Sequence, residues 1–249
     1  MKYKEYGKEN SKTVVLLHGG GLSWWNFRRE AELLQGDHRV ILPVLDGHAG
    51  SDRHFSSIAD NAAEIISFVN SNLGGRVYLI GGLSLGAQVL LEMLSQRGDI
   101  CEHAFVESAS VIPSGGVARA LVRPAVSCSY PLIGHKWFAR LQFGALKMDG
   151  SFFEDYYRDT RAIAKEDMIS FLRASTSYTP GKEIKNCMAR VHIFYGEKET
   201  RGIIKSARII NDMIPHSSCR ELPGMYHGGF SLDRAEEYAD AVRLAGQMQ

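Results

Sequence analysis

Short apolar runs alternate with helical stretches along most of this 249-residue chain, and that alternation limits the fold more than any other feature. Thr13–Leu17, Arg39–Val44, Arg76–Ile80, His103–Val106 and Arg190–Tyr195 read as strands. Most are continuously apolar, the pattern of strands covered on both faces. Tyr3–Tyr6 and Ser218–Leu222 are weaker strand candidates, placed at the sheet edges. Between them, Asp60–Leu73 sets Ala63, Ile66, Val69 and Leu73 at helical spacing, and Gly74 and Gly75 follow as a stop. Gln88–Gln96, Ile203–Met213 and Arg234–Gly246 are further helices. The expected class is α/β, a mostly parallel sheet with helices on both faces.

One region breaks the rhythm. From Val111 to Lys185 no strand is legible, but Glu154–Ala164 and Glu166–Ala174 look helical. The stretch is too long for a loop in a compact domain. It reads as a helical cap or lid inserted at 111–185 into a single domain spanning 1–249. Its aromatic residues include Tyr130, Trp137, Phe138, Phe143, Phe152, Phe153, Tyr156 and Tyr157; Trp24, Trp25 and Phe27 lie outside it. These either pack the insertion onto the sheet or line an apolar acyl or aryl pocket. From Val111 to Gly150, Arg119, Arg123, Lys136, Arg140 and Lys147 face the single acid Asp149, a balance of +4. Such charges solvate a helix face, or line an entrance that favours an anionic substrate.

The whole chain carries a formal charge of only +1. That balance argues against a nucleic-acid or membrane-surface binder. No apolar run approaches the length of a membrane span. The polar start, Met1–Gly7, lacks the apolar stretch of a signal peptide, so the expected location is cytoplasmic. Cys101, Cys128, Cys187 and Cys219 are far apart and read as small buried hydrophobes kept reduced.

The sharpest motif is Gly82-Leu83-Ser84-Leu85-Gly86, between the strand at 76–80 and the helix at 88–96. That context suits the G-x-S-x-G turn, which thrusts a serine out at the carboxyl end of a sheet. A phosphate loop is excluded because no Gly-Lys-Ser/Thr ending follows, and the G-x-G-x-x-G dinucleotide spacing is absent. His18-Gly19-Gly20-Gly21 follows the first apolar strand. Glycines there can aim N–H groups at an oxyanion, with Gly20 as one donor, Leu85 as the other and Gly21 as the fallback.

The sequence resembles the α/β-hydrolase superfamily over nearly its whole length. The matching segments, in order, are LLHGGG at 16–21, LDGHAGSD at 45–52, GGLSLG at 81–86, YGEKET at 195–200 and YHGGF at 226–230. The resemblance implies Ser84 as nucleophile and His227 as general base. It implies Glu199 as the acid, where the family more often shows Asp; Glu107 is the alternative and Glu197 a lesser one. His18 and His48 become loop residues around the site, and His216 a turn residue. No metal site and no cofactor are expected. The implied activity is a serine hydrolase, carboxylesterase-like, acting on a small-molecule acyl substrate, an ester or thioester. Carbon–carbon bond hydrolysis, hydroxynitrile cleavage, perhydrolysis and non-enzymatic ligand binding remain alternatives on the same fold.

Overall fold

In the computed structural model, which describes residues 1–247, the sheet carries seven strands. They are β1 (Tyr3–Tyr6), β2 (Thr13–Leu17), β3 (Arg39–Pro43), β4 (Val77–Leu83), β5 (Cys101–Glu107), β6 (Arg190–Gly196) and β7 (Ser217–Leu222). Their order is β1-β3-β2-β4-β5-β6-β7. Only β1 runs antiparallel to its neighbour, so the α/β expectation holds and both weak strands take the edges. Residues 248–249, part of the expected domain, lie outside the described residues.

Helices α1 (Arg28–Leu34), α2 (Ile58–Asn72) and α3 (Leu85–Gln96) precede a helical insertion of α4 (Gly116–Ser129), α5 (Lys136–Leu146), α6 (Phe153–Thr160) and α7 (Lys165–Ser175). Helices α8 (Arg201–Met213), α9 (Gly229–Asp233) and α10 (Ala235–Leu244) complete the chain. The strands' pleat explains their continuous apolarity. Val15 and Leu17 enter the core shared with α2, α3 and α8, while Val14 and Leu16 enter the one shared with α1 and α10.

Two local readings need correction, and one short helix is added. On α2 the buried face is Ile58, Ala62, Ile65 and Val69, not the stripe through Ala63, which is exposed. The Ser57 hydroxyl caps this helix by accepting from Asp60 N–H, so it starts earlier than its apolar spacing suggests. The helix expected at Arg234–Gly246 is α10, and a short helix outside that expectation, α9, precedes it. Of the cysteines, only Cys101 and Cys187 are buried; Cys128 and Cys219 are exposed. Among the described residues no helix is long and apolar enough to cross a membrane.

The insertion's aromatics mostly act as packing. Phe143, Phe152 and Tyr156 are buried in the same cluster as Trp25 and Phe27, while Trp137 is exposed. Polar ties reinforce this contact. The Trp25 indole N–H donates to Asp159 at 2.8 Å, and Arg28 pairs with Asp155 at 3.1 Å. At the other side, Asp167 accepts from Phe55 N–H and pairs with His54, both at 2.9 Å. Replacing Asp159 by Ala orphans a fully buried indole N–H. Urea unfolding should then show a loss of about 1–3 kcal/mol; an unchanged midpoint would mean that the tie carries no weight.

Candidate active site

Strand β4 ends at Leu83 and α3 begins at Leu85, so Ser84 alone makes the turn. Its backbone sits at φ 53°, ψ −108°, a left-handed conformation that costs a side-chain-bearing residue free energy. The neighbouring glycines make the turn possible. A Cβ on Gly82 would lie 2.5 Å from the Gly86 carbonyl group, and one on Gly86 would collide with the Leu17 carbonyl and lie 2.6 Å from the His18 oxygen. The end of β2 therefore packs directly on the first turn of α3, backbone against backbone. Gly81 lets β4 continue past the expected end at Ile80, because a Cβ there would strike the Tyr238 hydroxyl.

The glycine loop after β2 is held in place by its neighbours. Gly19 N–H donates to Asn26 Oδ1 at 3.0 Å, and the Gly21 carbonyl accepts from the Thr160 hydroxyl at 3.3 Å. The N–H groups of Gly20 and Leu85 have no protein acceptor among the described residues. A Cβ on Gly20 would be 3.5 Å from Leu85 Cβ, so the two residues are immediate neighbours. Gly20 lines the pocket that Ser84 faces, and the fallback Gly21 does not.

His227 lies in the loop between β7 and α9. Its Nδ1 is 2.7 Å from Glu199 Oε2. An ionised carboxylate only accepts, so Nδ1 carries the proton and Nε2 is left with a free lone pair. The Glu199 side chain is fully buried, while that of His227 is 46% exposed. Burial pushes the Glu199 carboxyl up. Hydrogen bonds from His227, Ser108 and the Gly196 N–H outweigh it and hold the group below its ordinary value.

Ser108 went unnoticed in the sequence. It follows β5 at φ 56°, and its hydroxyl donates to Glu199 Oε1 at 2.6 Å and accepts from Gly228 N–H at 3.2 Å. The only sequence signal is its place, at the carboxyl end of a strand beside the one that leads to Ser84. Glu107, the alternative acid, does not face His227. Its Oε1 accepts the N–H groups of Phe230 and Ser231, at 3.0 and 3.2 Å. Glu197 accepts from Gly224 N–H instead.

His18 and His48 are loop supports. Nδ1 of His18 donates to Gly19 O and its Nε2 accepts from Leu45 N–H; His48 stacks on Phe171. Burial lowers His18 to about 3 and His48 to about 4, so both stay neutral. His216 is exposed in the turn before β7.

Ser84, His227, Glu199 and Gly20 all line one pocket of about 360 Å³. The insertion contributes Ala145, Leu146, Lys147 and Met148, and none of the aromatics singled out in the sequence. The aryl-pocket reading of those aromatics is therefore set aside: the rings that are buried are spent on packing.

The family model of the alpha/beta hydrolase family matches residues 14–241, and the chain belongs to that family. Solved structures similar to it include an esterase from Thermogutta terrifontis, at 17% identity and TM-score 0.81 over 99% of this chain and 92% of that one. An enol-lactonase from Burkholderia xenovorans is 14% identical with TM-score 0.82, covering 99% and 96%. An esterase from Exiguobacterium antarcticum is 15% identical with TM-score 0.81, covering 99% and 95%. These likenesses establish the fold.

Glu107 gives a testable pH effect. Burial raises its carboxyl to about 7, against hydrogen bonds from Ser231 and Phe230 that pull it down. A carboxyl raised on folding binds its proton more tightly in the folded state. The stability this supplies is full below the ordinary carboxyl value and is lost as pH rises toward 7. The loss should be on the order of 3 kcal/mol between about pH 4.5 and 7. Glu107→Gln mimics the protonated form, so its unfolding free energy should lack that decline; identical pH profiles for variant and wild type would refute the assignment.

Proposed function

We propose that the chain is a serine hydrolase that cleaves a small carboxylic ester or thioester through an acyl-enzyme on Ser84. The observation that carries this reading is convergence. A strained serine, an imidazole paired with a buried carboxylate and the unpartnered Gly20 N–H meet at one pocket, with the Leu85 N–H adjacent to them.

Each part has a role. Ser84 Oγ attacks the substrate carbonyl while His227 Nε2 takes its proton. Glu199 holds the imidazole in the tautomer that leaves Nε2 free and stabilises the imidazolium as it forms. The N–H groups of Gly20 and Leu85 receive the negative charge on the carbonyl oxygen. Collapse breaks the bond to the leaving group, which takes the proton from His227. Water then repeats the cycle on the acyl-enzyme, releasing the acid and restoring Ser84. Ser84 and His227 line the same pocket, and a hydrogen bond between nucleophile and base tightens when substrate binds. Ser108 acts through Glu199, and Glu107 through the backbone that follows His227; both are positioning residues. We read residues 111–185 as a cap within one domain, since its segment 145–148 closes one side of the pocket.

A fluorophosphonate probe tests the nucleophile: it should label the wild type and not Ser84→Ala. Ser84-independent labelling, or none in folded wild type, would overturn the proposal. The acid is tested by turnover on a p-nitrophenyl ester. Glu199→Gln should lower kcat by roughly 10²–10⁴, as loss of the orienting carboxylate does in related triads. Glu107→Gln should cost far less, and the reverse ranking would reassign the acid.

A further inference from the structure

Two lysines stand at the same pocket with no carboxylate to answer them. Lys147 and Lys198 both line it, both are exposed, and neither makes an ion pair among the described residues. The pocket's one acid, Glu199, has no oxygen to spare. Oε2 is taken by His227, and Oε1 by Ser108 and the Gly196 N–H. Elsewhere in the insertion Arg123 pairs with Glu166 and Lys136 with Glu154, while Arg119, Lys165 and Arg173 also make no ion pair among the described residues; what sets Lys147 and Lys198 apart is their place at the pocket.

Both lysines sit at backbone positions of defined geometry. Lys147 caps the C-terminus of α5 at φ 57°, a left-handed position that glycine or asparagine would fill at lower cost. Lys198 belongs to the turn that aims Glu199. Its N–H donates to Met225 O at 2.9 Å, and its ammonium rests 5.0 Å from the centre of the Tyr226 ring. The rest of the lining is largely apolar, with Leu22, Leu83, Leu146 and Leu232 among it. The chemistry thus has two parts, an oily space beside Ser84 and positive charge at its edge.

We infer that the substrate carries an anionic group on a short apolar chain, held by Lys147 and Lys198 while its carbonyl lies at Ser84. The inference rests on the hydrolase reading and adds the substrate class. Negative charge a short chain away from the carbonyl places substrate in register, so the lysines select by charge and the leucines by length. A carboxylate and a phosphate present the same chemistry to two ammonium groups, and the test separates them.

The experiment compares p-nitrophenyl butyrate with the p-nitrophenyl monoester of glutaric acid and with a p-nitrophenyl ester whose acyl chain ends in phosphonate. The readout is the ratio of kcat/KM, anionic to neutral. In Lys147→Gln/Lys198→Gln the ratio should fall about tenfold for at least one anionic ester, and the double arginine variant should recover most of it. The anion with the larger fall is the one the site is built for. Raising salt should lower the wild-type ratio and leave that of the double glutamine variant level. A ratio unchanged by the substitutions, or an equal loss on all three esters, would overturn the inference while leaving ester hydrolysis intact. A second arm needs no turnover: calorimetric binding of monomethyl glutarate and of a phosphonate analogue to Ser84→Ala, with and without the two lysine changes. Lysine-dependent binding there, together with no ester cleavage by the wild type, would sink the hydrolase reading and keep the anion site. No lysine dependence in either arm would remove the site.

Discussion

The carbonyls of Leu17 and His18 occupy the space where a side chain on residue 86 would be. That backbone-to-backbone contact joins the end of β2 to the start of α3, and the rest of the site follows from it. It brings the glycine loop at 19–21 beside the first free N–H of the helix. It forces Ser84 into a left-handed turn, which lifts the hydroxyl clear of the sheet. Two chain segments far apart in sequence thereby set a serine hydroxyl and two unpartnered N–H groups side by side. Only residues without a Cβ allow so close an approach.

A second network steadies the imidazole. Ser108 bridges Glu199 and Gly228, and Glu107 accepts from the two N–H groups that open α9. The loop bearing His227 is thus gripped from both β5 and β6. Glu107 bears a cost for this. It is buried with Oε2 unpartnered, near the equally buried Glu30 and Tyr238, and burial raises all three above their ordinary values. A stretch of chain that must hold a half-exposed histidine steady is tied down by groups that would be more stable elsewhere.

Much of this was legible in the sequence. The sheet, its edges and the turn at Ser84 could be read because apolar runs, glycines and their spacing are local signals. The pairing of Glu199 with His227 came from resemblance, and only the folded chain brings the two within 2.7 Å. Ser108 and the real work of Glu107 were illegible, because a hydroxyl and a carboxylate after a strand look alike wherever they point. The insertion was read correctly as helical but not in detail. Its helices α4 and α5 bury few residues, so their apolar spacing gives no clean stripe. Its aromatics misled for a related reason: ring size signals burial, and burial against Trp25 and burial against a substrate look the same in one dimension.

The ties between insertion and body are unevenly spread. Asp159, Asp155 and Asp167 bind it at the Trp25 loop, at α1 and at the loop before α2. The stretch 145–148, which borders the pocket, makes no side-chain hydrogen bond to the body among the described residues and depends there on the packing of Met148. Just beyond it, Arg29 of α1 reaches Asp149 and Ser151 through exposed contacts, so the buried ties and the pocket rim of the insertion are different places. Displacing 145–148 costs a few apolar contacts and those exposed ones, with the buried polar ties intact. The molecule can yield at one rim without loosening its hold at the other.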